Sequence, residues 1–197
     1  MISRFKKSRM KMKFGVTIVY KPQGGKIMPN YETPEYTVIE KDNDFELRAY
    51  KSYLTASIDD KKSENASGFN QIFDYINGNN SKHQKIAMTV PVFNELGTGI
   101  SITAFVLPAK YANELPPEPG NSRIAINKID EKTVAAITFS GSVKKEKLAE
   151  LQSKLLQWLQ EKNLKTHGNF RLARYNSPFT PLFLRHNELL IDIEKTI

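Results

Sequence analysis

A chain of 197 residues, 40% of them apolar, is long enough to bury a sizeable core, as one domain or as two small fused halves. It has no cysteine, which excludes disulfides, thiolate metal sites and a cysteine nucleophile. The net charge of +8 suggests nucleic acid until it is located: residues 1–31 hold eight lysines and arginines and no acid, and of 29 basic residues the other 21 balance 21 acidic ones.

The chain therefore divides into a basic N-terminal arm, residues 1–31, and a neutral body, residues 32–197. Nucleic acid is not an expected partner of such a body. The arm is either a solvated tail or a contact for an anionic membrane surface or nucleic acid. Within it, Phe14-Gly-Val-Thr-Ile-Val-Tyr20 falls short of the about 20 apolar residues that cross a bilayer. Lys21-Pro-Gln23 follows where a secretory signal would place small residues. No transmembrane segment is expected, and the cytoplasm is the expected location.

In the body, period-two alternation in Tyr36-Thr-Val38 and Phe45-Glu-Leu-Arg-Ala49, with Lys41-Asp-Asn-Asp44 between, predicts a hairpin. Leu54-Thr-Ala-Ser-Ile58 extends the pattern as a third strand. From Ala66 the period changes to that of a helix: Phe69, Ile72, Phe73 and Ile76 fall on one face, and Gly78 supplies a left-handed stop. Two strands follow, at 85–93 and 100–107. Pro91 lacks an amide donor, which places it at an edge, a bulge or a strand end.

The order then recurs. Strands at 123–126 and 134–139 flank an Asp130-Glu-Lys132 turn, a helix places Leu148, Leu151, Leu155, Trp158 and Leu159 on one face, and strands at 170–175 and 189–193 complete the chain. Ile39 to Ile126 and Ile102 to Leu189 are the same distance apart, so the body reads as two copies, about residues 35–107 and 123–194. The predicted fold class is α+β: a pseudo-twofold duplicated β-α-β repeat, a mostly antiparallel barrel-like sheet flanked by two helices, closed so as to remove exposed edges. Leu115-Pro-Pro-Glu-Pro-Gly120 joins the copies as a stiff surface crossover.

Five segments taken in order carry a resemblance. They are Lys85-Ile-Ala-Met-Thr-Val-Pro-Val92; Phe105-Val-Leu-Pro108 with Tyr111 and Pro116-Pro-Glu-Pro119; Phe139-Ser-Gly141; Ala173-Arg-Tyr175 with Pro178; and Arg185-His-Asn-Glu188. Together they resemble the SOUL heme-binding protein family, over residues 32–194. The resemblance implies a carrier or buffer for heme or another porphyrin, held in an apolar cleft beside the first helix. Phe69, Ile72, Phe73 and Ile76 would wall that cleft, Met88 would fill it or offer sulfur, and Lys62, Lys85 and Arg174 would meet the propionates, with Lys61 and Arg48 as further cations. Each apolar member of this set also has a plain reading as core.

No metal ligand is assigned. Alanine stands at position 49 where some members of the family have a histidine. His83, His167 and His186 read as surface or turn residues, leaving heme bound without a protein ligand or through Tyr53 or Met88. Asp74 puts a carboxylate where other members carry a base. Arg185-His-Asn-Glu188 reads as a hairpin turn with Asn187 in the left-handed region and Glu188 beside a neighbouring arginine, or else as a carboxylate clamp. No nucleophile, metalloprotease, phosphate-loop or dinucleotide motif is present, so the expectation is a binding protein rather than an enzyme. The alternative is a module of the same duplicated fold that senses a non-heme amphiphile or binds a protein partner.

Overall fold

The structure, a computed structural model, describes residues 31–60, 67–97 and 102–195. The basic arm up to residue 30, and Lys61 and Lys62, lie outside them. The first strands are β1 (Tyr36–Asp42), β2 (Phe45–Tyr50) and β3 (Tyr53–Asp59), followed by α1 (Gly68–Ile76), β4 (Val92–Leu96) and β5 (Ile102–Val106). The second half holds β6 (Ala125–Ile129), β7 (Lys132–Phe139), α2 (Lys145–Glu161), β8 (Thr166–Arg174) and β9 (Asn187–Ile193). The nine strands of the described residues join one curled antiparallel half-barrel in the order β1-β2-β7-β9-β8-β4-β5-β3-β6.

With β1 set aside, this order has the same pattern from either end about the β8·β4 pair. Each half holds a strand, a helix and two strands (β3-α1-β4-β5 and β7-α2-β8-β9), and the strand that leads into each half pairs with the other half: β2 on β7, β6 on β3. Several sequence expectations change accordingly. β6 and β7 are consecutive but do not pair, so the turn at Asp130 joins two strands of different neighbourhoods. The matched spacing of Ile39 and Ile126 equated β1 with β6, whereas β2 holds the corresponding place. The sheet is open, with β1 and β6 as its edges. The predicted strand at 85–93 begins only at Val92; Pro91, without an amide donor, is the residue just before it.

Local chemistry explains the elements that hold. Asn43 adopts a positive φ of 52° in the β1–β2 turn, a conformation its short polar side chain tolerates. Gly78, at φ 114°, ends α1. Gly68 begins that helix where a Cβ would stand 2.0 Å from Asp60 Oδ1, the atom that accepts the Gly68 amide at 2.5 Å.

Alternation along the strands separates two faces. One carries both helices. There α2 packs Leu151, Leu155, Trp158 and Leu159 on Leu47, Ile137, Leu172 and Ile191, and α1 packs Ile72, Tyr75 and Ile76 on Ala56, Ile58, Val92 and Phe105. The other, concave face buries Tyr36, Tyr50, Phe93, Val106, Val134, Tyr175 and Leu190. Among the described residues no helix is long and apolar enough to cross a membrane.

Candidate functional site

The apolar face of α1 splits in two. Ile72 and Ile76 are buried in the core and present no wall to a guest. Phe69 is half-buried and tilts against Phe105 at 5.1 Å between centroids, while Phe73 is 42% exposed and lies parallel on Phe69, at 5.9 Å and 12°. At about 100° per residue, Phe73 and Tyr75 stand on opposite flanks of Ile72, so a helix rolled toward one must expose the other. Tyr75 takes the buried flank because the proline-rich crossover docks there: its hydroxyl donates to Pro117 O at 2.9 Å, and Gly120 N donates to Asn79 O at 3.0 Å. The sequence reading missed Tyr75 and placed that loop free on the surface; Pro117 is buried against the helix.

Met88 is half-buried against the α1 cluster. Arg174 ends β8 directly opposite Val92, and residues facing each other across a ladder share a side of the sheet; Val92 packs with α1, so Arg174 lies on the α1 side. Partial burial, and after it the charge of Arg185, pull the Arg174 pKa below its ordinary value. No ion pair is formed by Arg174 among the described residues. Lys85 is exposed in the segment between α1 and β4.

Arg48 is not a rim cation. It is buried on the concave face, where its guanidinium donates to both Glu188 oxygens at 2.7 and 2.8 Å, to Glu46 at 2.7 Å and to the Tyr50 hydroxyl at 3.3 Å. Its carbon lies 4.5 Å from the Tyr36 ring centroid. The Tyr175 hydroxyl donates to Glu188 at 2.7 Å, and His186 Nε2 stands 3.3 Å from the same carboxylate. Burial alone would raise the Glu188 pKa, but hydrogen bonds from Arg48 and His186 and the charge of Arg48 outweigh it, and the carboxyl is held well below its usual range. Burial would likewise lower Arg48, and Glu188 outweighs it in the raising direction.

Three sequence expectations are corrected by this network. Asn187 is the first residue of β9 rather than a left-handed turn residue. The arginine that meets Glu188 is 140 residues away in sequence. His186 is edge-on to Tyr175, at 4.6 Å and 70°, rather than a bare turn residue. His83 and His167 are exposed, as read.

A cavity of about 680 Å³ opens elsewhere, lined in part by Tyr31, Tyr36, Tyr53, Leu54, Val106 and Pro108. Its rim holds Glu32, Glu35 and Lys51, the last two paired at 2.6 Å. Burial raises the Tyr53 phenol to about 12. Of the candidate site residues named from the sequence, only Tyr53, offered there as a possible heme ligand, lines this cavity; none of the proposed cleft or propionate residues does. Ala49 sits mid-strand between Thr37 and Thr133. Among the described residues no cluster of three or more histidine, aspartate or glutamate side chains has metal-binding geometry.

The architecture recurs in proteins of dissimilar sequence. The EcmrR C-terminal domain superposes with a TM-score of 0.54 at 12% identity, covering 77% of this chain and 98% of that one. A hydrolase from Listeria innocua superposes with a TM-score of 0.55 at 7% identity, covering 79% and 94%. At such identities the likeness is one of fold alone. Sequence is more specific: the SOUL heme-binding protein model matches residues 31–192, and the chain belongs to that family. Heme-binding protein 2 of Mus musculus is 28% identical over 175 residues, covering 82% of this chain and 83% of that protein. Heme-binding protein 2 of Homo sapiens is 29% identical over 174 residues, with the same coverage.

Proposed function

We propose that this protein binds heme or a related tetrapyrrole on the α1 side of the sheet and acts as a reversible carrier or buffer, without bond chemistry of its own. The carrying observation is the exposed Phe69–Phe73 stack in a chain of a heme-binding family. A flat apolar macrocycle removes the most apolar area from water when it lies face to face on an aromatic surface. Phe69 and Phe73 would support the ring, Met88 would offer a soft thioether beside it, and Arg174 with Lys85 would meet the propionates. The spare positive charge of Arg174 fits that role, since a propionate relieves its repulsion from Arg185. Bound heme supplies a redox-active iron; the residues of this side act on the macrocycle and its carboxylates. Ile72 and Ile76 fix the orientation of the helix from beneath, and Lys62 is assigned from the sequence alone.

Hemin and protoporphyrin titrated side by side test the reading. We expect both to bind, with a Soret shift for hemin and quenching of Trp158 fluorescence for each. Absence of both signals would sink it, and binding of hemin alone would show that the iron, not the ring, is what is held. The cavity of about 680 Å³ supports a second reading, a non-heme amphiphile seated among Tyr31, Tyr36 and Tyr53. Its volume is within the ordinary range of ligand clefts, about 300–1,000 Å³.

A further inference from the structure

The cavity of about 680 Å³ differs from the α1 surface in charge as well as in place. Its lining combines the rings of Tyr31, Tyr36 and Tyr53 with apolar residues such as Leu54 and Val106, and besides the tyrosines it holds two acids and one base. The base is already matched: Lys51 Nζ lies 2.6 Å from Glu35, and the Lys51 amide donates to Glu35 O at 3.0 Å. Glu32 is left over, since it forms no ion pair among the described residues. Its place is nonetheless fixed, because its carboxylate accepts the Ala109 amide and its main-chain oxygen accepts the Val90 amide at 2.9 Å. The rim is therefore net negative.

Neighbouring cations do not cancel that charge. Arg48 lies over the Tyr36 ring, 4.5 Å from its centroid, but is matched by Glu188 and Glu46. Arg171, which acts on the Tyr53 phenol, shares Asp192 with Lys132, and Glu95 adds a second acid to that group. Tyr53 stays neutral, as burial raises its phenol to about 12, and its hydroxyl has no hydrogen-bond partner among the described residues. Electron-rich ring faces attract a cation and repel an anion, more strongly where water is partly excluded. We propose that this cavity takes an amphiphilic organic cation, its charged head met by Glu32 and the rings of Tyr31 and Tyr53, its apolar part by Leu54 and Val106. This rests on the reading of the cavity as an amphiphile site and adds the sign of the guest's charge. A macrocycle with two propionates would meet Glu32 here, so the α1 side and the cavity would select guests of opposite charge.

Octyltrimethylammonium, octanol and octanoate share a chain and differ in head charge. Each is titrated into the full chain below any micelle concentration, with amide chemical shifts as the readout. We expect shifts at Lys51, Tyr53 and Ala109, with the cation bound roughly five- to tenfold tighter than the alcohol and octanoate weakest. Glu32→Gln removes the charge and keeps an oxygen for the Ala109 amide; it should weaken the cation about two- to fivefold, leave octanol unchanged and strengthen octanoate. Tyr53→Leu keeps an apolar side chain without the ring and should weaken the cation more than the alcohol. Circular dichroism checks that both variants keep the fold. Equal affinity for cation and alcohol, or a cation affinity untouched by Glu32→Gln, would overturn the proposal while leaving the cavity an amphiphile site. Silence at Lys51, Tyr53 and Ala109 with all three probes would remove the cavity reading itself, and the proposal with it. Cation shifts centred on Phe69 and Phe73 would place the probe on α1 and overturn it too.

Discussion

The two halves of the sheet carry helices of different reach. In α2, 17 residues bury Leu151, Leu155, Trp158 and Leu159, and Trp158 stacks on Phe45 at 5.3 Å and 13° while its indole donates to Asp42 at 3.1 Å. In α1, nine residues bury Ile72, Tyr75 and Ile76 and leave an aromatic stack at the surface. The long helix covers its half; the short one leaves aromatic area uncovered, which the proposed guest would occupy. Leu156 of α2 is as exposed as Phe73, but it is an isolated aliphatic side chain without a stacked neighbour.

Breaking the closed half should cost stability and nothing else. Glu188→Ala takes both carboxylate contacts of the Nη atoms from the buried Arg48 guanidinium and leaves it with Glu46 as its carboxylate partner, and we expect a loss of about 3 kcal/mol by denaturant unfolding, with hemin affinity of the folded protein kept. Leu155→Ala should cost about 2–5 kcal/mol in the same measurement, as a fully buried side chain leaves a cavity. The ion pair also sets a pH dependence. The folded pKa of Glu188 is depressed, so its contribution is complete above the unfolded carboxylate value of about 4.3 and is lost as pH falls below it. Unfolding free energy should fall with acidification in that range, and Glu188→Gln should flatten the fall; an unchanged slope would remove Glu188 from the account.

How much of this contrast is visible in the sequence depends on whether a signal is local. The Asn43 turn, the Gly78 stop and the α2 stripe are written in adjacent residues and are found where periodicity places them. Alternation gives the faces of a strand but not its partner, which is why β6 and β7 read as a hairpin. A clue to the concave network was present, since Glu46, Arg48 and Tyr50 share one face of β2, opposite Leu47; the partner Glu188 is set by topology. Phe73 read as a member of one helical stripe because the roll of α1 is decided by Tyr75 and the distant Pro117. The cavity gathers residues from the β1 lead-in, the β2–β3 loop and the end of β5, which no sequence window contains.

Smaller effects should come from the open half. Phe73→Asp should leave stability within about 0.5 kcal/mol, as at other exposed positions, and weaken hemin by roughly five- to tenfold in an absorbance titration. Arg174→Ala should weaken it about two- to fivefold, the value of a solvent-screened ion pair, with the effect shrinking at high salt. An Arg174 effect insensitive to salt would speak against a propionate contact.

The contrast between the halves is tested most directly by amide chemical shifts of the full chain during titration with protoporphyrin. We expect the perturbed amides to cluster at Phe69, Phe73, Met88 and Arg174, with α2 silent. Perturbations confined to Glu32, Lys51, Tyr53 and Ala109 would place the guest in the cavity of the other reading and contradict the assignment to α1.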